Sequence, residues 1–115
     1  MTRRRFVGGL VIGSLLAITV QGWSEPRVFD LAIRNNQLPS DQRVVRVRQG
    51  DEVSLRWTTD APLTIHLHGY DIETLVSPGP AVVMKFSARA TGRFPIEIHG
   101  RGVERTLGYL EVHPR

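Results

Sequence analysis

The chain contains no cysteine. That absence removes disulfides, thiolate metal sites, iron–sulfur clusters and a cysteine nucleophile together, and it leaves the redox compartment unread. The 115 residues suffice for one domain and exclude a separate cofactor domain beside a substrate domain. No apolar run reaches the roughly 20 residues that a membrane span needs. The longest, residues 6–20 (FVGGLVIGSLLAITV), has 15. There is no internal repeat, no low-complexity tract and no stretch with a sustained 3.6-residue period. Ser24, Ser40, Ser54, Ser77 and Ser87 stand in no nucleophile-elbow context, and no glycine-rich phosphate loop joins a strand to a helix. Asp71 and Glu73 form an i, i+2 carboxylate pair of the kind that arises by chance among 11 acids. The expectation is a protein that is not an enzyme.

What is present begins with charge. The net charge is +4 and the pI about 10.6, but Arg3, Arg4 and Arg5 carry most of the excess, and no acid precedes Glu25. Without those three, 12 basic residues face 11 acidic ones, interspersed along the chain. That pattern lacks the basic footprint a nucleic-acid partner requires. The arginines stand directly before the uncharged apolar run, as the two regions of a secretion signal do, and Thr2-Arg3-Arg4-Arg5-Phe6-Val7 resembles the twin-arginine export consensus. We expect a signal peptide over residues 1–22, cut after Val20-Gln21-Gly22, and a domain over residues 23–115 outside the cytoplasm, in the periplasm or secreted. Membrane contact is expected only if the signal segment stays uncleaved as an anchor.

Hydrophobic residues make up 41% of the chain, enough for a core. Beyond Glu25, short runs of period-two alternation recur about every ten residues, each closed by a turn signal. Candidate strands cover residues 28–33, 43–48, 53–57, 63–68, 81–88, 94–99 and 107–113. Inward sets are Val45 and Val47; Val53, Leu55 and Trp57; Leu63, Ile65 and Leu67; Val82, Met84, Phe86 and Ala88; and Phe94, Ile96 and Ile98. Gln49-Gly50-Asp51-Glu52 predicts a hairpin between the second and third runs. Pro95 predicts that its run begins at an edge or a strand start. The fold class is all-β, a Greek-key sandwich of seven to eight strands.

Three segments, in order, resemble the cupredoxins, the plastocyanin and azurin type of fold. Residues 45–57 (VRVRQGDEVSLRW) are similar to that family's second and third strands, residues 90–99 (ATGRFPIEIH) to the penultimate strand, and residues 107–114 (LGYLEVHP) to the last. The resemblance implies an exported copper-protein fold. The type 1 copper site it would bring uses two histidines, a cysteine thiolate and a weak axial ligand. Ile98 stands at the cysteine's place and Met84 falls on an earlier strand, so blue-copper electron transfer is not carried over.

His66 and His68 are at i and i+2, which on a strand sends both imidazoles from one face. Glu97 and His99 repeat the spacing on the strand that a cupredoxin sets beside the first histidines. His66, His68 and His99 with Glu97 form a candidate site for copper or zinc, both of which accept imidazole nitrogen. His113, near the chain end, is left out. Trp57 reads as core and Tyr70 as rim. Two functions follow as expectations: a carrier or buffer of Cu or Zn without redox turnover, or a metal-free sandwich acting as an accessory to an unknown cell-envelope protein.

Overall fold

The computed structural model describes residues 26–115, and the signal segment expected over residues 1–22 lies outside them. Eight strands make up the described chain: β1 (Pro26–Ile33), β2 (Val44–Arg48), β3 (Glu52–Thr59), β4 (Leu63–Leu67), β5 (Ile72–Val76), β6 (Val82–Ser87), β7 (Gly92–Gly100) and β8 (Val103–His113). One sheet has the order β1-β3-β6 and the other β2-β8-β7-β4-β5. The chain passes repeatedly from one sheet to the other, as in a Greek-key sandwich. Among the described residues, no helix is long and apolar enough to cross a membrane.

The alternation builds the core. Val53, Leu55 and Trp57 are buried from the three-stranded sheet, and Val45, Val47, Leu63, Ile65, Leu67, Ile96 and Ile98 face them from the five-stranded one. Each such side chain contributes about 1.5–3 kcal/mol by leaving water. Val82, Phe86 and Phe94 pack partly buried against this core, beside fully buried Met84 and Ala88. Leu38, in the loop after β1, is also buried. Asn35 and Asn36 bend that loop with left-handed backbone angles that asparagine tolerates.

Three details differ from the sequence reading. The run over residues 53–57 does not form a hairpin with the one before it: β2 pairs in parallel with β8, and β3 pairs in parallel with β1. The Gln49–Glu52 turn therefore carries the chain between sheets, because Val45 and Val47 bury toward Val53 and Leu55 from the opposite layer. Pro95 lies in β7, which has neighbours on both sides. Its carbonyl accepts the His68 N–H, and His68 is the first residue past β4, so the missing proline N–H falls where that ladder has ended. The third difference is β5, an exposed strand between the histidines and the Ser77-Pro78-Gly79-Pro80 turn. Its pattern leaves Glu73 and Leu75 exposed and buries only Val76, too weak an alternation to stand out.

Candidate functional site: a histidine and carboxylate face

β4 and β7 lie side by side and antiparallel, with His66 opposite Glu97 and Thr64 opposite His99. Leu63, Ile65, Leu67, Ile96 and Ile98 point into the core, so the intervening residues emerge together on the outer face. That geometry brings His66, His68, Glu97 and His99 onto one patch, as the spacing predicts. The ring centroids of His66 and His68 are 4.1 Å apart and those of His66 and His99 are 6.3 Å apart. His66 also faces Glu73 across β5.

Two carboxylates hold two of the rings. His68 Nε2 lies 2.9 Å from Glu97 Oε1, and His99 Nδ1 lies 2.9 Å from Glu104 Oε2. An ionised carboxylate only accepts, so the imidazole N–H donates in both pairs. Neutral His68 then keeps its lone pair on Nδ1, and neutral His99 keeps its own on Nε2. The hydrogen bond from His68, reinforced by the nearby positive potential of His68, His99 and His66, holds the Glu97 carboxyl below its ordinary range against the opposing effect of desolvation.

Glu104 was not among the candidates of the sequence. Its signal is the turn after His99: Arg101 and Gly102 both have positive φ, 52° and 76°, the pattern of a two-residue type I′ hairpin. That turn sets Gly100 opposite Val103 and His99 opposite Glu104. Glu97, expected as a ligand, is engaged with the His68 ring. His113 bonds Glu111 on β8, away from the patch. Among the described residues, no three side chains of His, Asp or Glu already converge on one point to hold an ion. The arrangement is thus a set of oriented imidazoles on a half-exposed sheet face, with two free lone pairs fixed by carboxylates and a third ring beside them.

No protein-family model and no curated protein matches the sequence. Solved structures do. A chain of a heme-copper terminal oxidase dimer aligns with 17% identity over 76% of this chain and 65% of its own, with a TM-score of 0.62. A multi-copper oxidase from Pseudomonas Thermotolerans aligns with 22% identity over 81% of this chain and 31% of its own, also at 0.62. A further multicopper oxidase aligns with 19% identity over 77% and 42%, again at 0.62. This chain therefore spans from about a third to just under two thirds of those chains. At such identities the likeness is one of architecture, and with the strand order above it establishes that the described domain has a cupredoxin-like fold.

Proposed function

We propose that this protein is an exported, cupredoxin-like metal carrier or buffer that takes Cu or Zn on His66, His68 and His99 and performs no blue-copper electron transfer. The observation that supports it is the pairing of His68 with Glu97 and of His99 with Glu104 on either side of His66. A carboxylate on the far nitrogen of a histidine fixes its tautomer and aims its lone pair, which is how metal-binding imidazoles are commonly held. In this reading Glu97 and Glu104 position ligands, and small side-chain rotations on the exposed face bring the three nitrogens to one ion. The lack of cysteine leaves no thiolate for type 1 copper chemistry. Copper proteins among the structural neighbours add support for copper.

The test is calorimetric titration of the protein with Cu(II) and Zn(II). One saturable site is expected, with each of His66→Ala, His68→Ala and His99→Ala weakening it at least tenfold and their losses strongly non-additive, since a two-ligand remnant is no longer the same site. Glu104→Gln should weaken binding by about tenfold. Undiminished affinity in His99→Ala would overturn the shared site. The second reading, a metal-free accessory module of the cell envelope, draws on the same two pairs, which already satisfy one nitrogen of each ring.

A further inference from the structure

A second feature lies one strand beyond Glu97. Thr106 of β8 is directly opposite Glu97 and borders a cleft of about 470 Å³ between β8, the start of β7 and the loop before β2. Arg43, Arg93 and Arg105 line it, with Leu38, Leu107 and the Tyr109 ring as its apolar surfaces, and among the described residues no acidic side chain is in its walls. Each guanidinium is held by contacts that leave most of its charge in place. Arg43 Nε donates to the Leu38 carbonyl at 3.0 Å, and Arg105 donates to the Asn36 carbonyl at 3.3 Å. Arg93 lies over the Tyr109 ring at 4.1 Å. Its one carboxylate partner among the described residues, Glu111 at 3.1 Å, also serves Arg46 at 3.3 Å and His113 at 3.2 Å, so one carboxylate is shared among two arginines and a histidine.

Three preoriented guanidiniums around a concave, partly apolar surface match the needs of a multivalent oxyanion. Guanidinium forks bind carboxylate and phosphate groups through paired, charge-assisted hydrogen bonds. The main-chain path here is also closely packed. A Cβ on Gly108 would overlap the Arg43 carbonyl, which accepts the Tyr109 N–H, so the floor of the cleft is set by backbone. We propose that this cleft binds a small anion carrying at least two carboxylate or phosphate groups. The proposal stands apart from metal binding, since it needs none of the histidines.

The experiment titrates the full chain, in the presence of a chelator, with citrate and separately with pyrophosphate, against sodium chloride at matched ionic strength. Amide shifts of Gly108 and Tyr109 and calorimetric heats are the readouts. Saturable binding of either probe, weakened about tenfold by Arg105→Gln, partly restored by Arg105→Lys and unaffected by Arg56→Gln, is the expected result. Arg56 is the control because it pairs with Asp30 on the other sheet. The stronger probe identifies the oxyanion, carboxylate or phosphate. Shifts that sodium chloride reproduces, or an equal loss in Arg56→Gln, would overturn the site and leave only general attraction to a cationic surface.

Discussion

Arg115 sets its guanidinium on the carboxylate of Asp51, and this contact ties the two sheets of the sandwich together. Asp51 is 1% exposed and sits where the chain leaves β2 for β3. Its Oδ2 accepts the Arg48 N–H at 2.9 Å and lies 3.8 Å from Arg27 of β1, while Arg115 follows β8 in the other sheet. Its own backbone bonds Arg48 and Ala88. A single buried carboxylate thus collects charge and N–H groups from both layers.

Asp51→Ala should therefore destabilise the protein by about 2–4 kcal/mol, because it leaves a buried N–H unpaired and two arginines without their shared partner. Arg115→Ala should cost less, about 1 kcal/mol, since that side chain is partly in water and its loss leaves Arg27 and the Arg48 N–H on the carboxylate. Urea unfolding measures both, and equal losses would show that the arginine, not the buried turn, carries the effect.

Gly69 follows His68 with φ of +85°, and a Cβ there would overlap the ring of Phe94. Phe94 in turn meets Tyr70 edge to face at 5.1 Å, and the Tyr70 hydroxyl donates to the Ala90 carbonyl at 2.8 Å. Gly69→Ala should lower stability by about 2–3 kcal/mol through backbone strain and overpacking together. Thermal unfolding checks it. On the proposed metal site, the same variant should also weaken Cu(II) and Zn(II) affinity, as it displaces the turn that carries His68.

The Glu97 carboxyl titrates below its ordinary range in the folded protein. A carboxyl whose folded value is depressed stabilises above the unfolded value, and that stability is lost as pH falls through the folded one. The wild type should lose a small, salt-sensitive part of its stability on acidification below the ordinary glutamate range, and Glu97→Gln should lack that component. Parallel pH–stability curves measured at low and high salt test this. Coincident curves for the two proteins would mean that the His68 pair contributes nothing to folding.

The resemblance of Thr2-Arg3-Arg4-Arg5-Phe6-Val7 to the twin-arginine export consensus is open to a direct test. On the proposed twin-arginine route, replacing Arg3 and Arg4 by lysine should leave the protein in the cytoplasm, as cell fractionation would show. Continued export of that variant would point to the general secretory route.

Much of the sandwich is legible in the sequence because period-two burial writes itself directly into residue type. The inward sets of β3, β4 and β7 are cases where alternate apolar residues leave no other assignment. β5 escaped because an exposed edge strand needs no apolar face. The β2–β3 hairpin was misassigned for a different reason: a Gly-Asp turn reports that the chain reverses, not whether the two arms join one sheet or face each other across a core. At the site, the i, i+2 spacing of His66 with His68 and of Glu97 with His99 placed all four outward. The i to i+5 partnership of His99 with Glu104 needed the turn type at Arg101 and Gly102 to be recognised.

Local alternation, the absence of cysteine and the histidine spacing were determined by the chain alone, since each depends on neighbours a few residues apart or on composition. The pairing of β4 with β7, the carboxylates that orient His68 and His99, and the gathering of Arg43, Arg93 and Arg105 around one cleft were decided by tertiary structure. Apart from the His99–Glu104 pair, which a tight turn closes, those contacts join residues far apart in the chain, and their partners are set by which strands share a sheet. That choice is made by burial of the whole core at once, which no local pattern encodes.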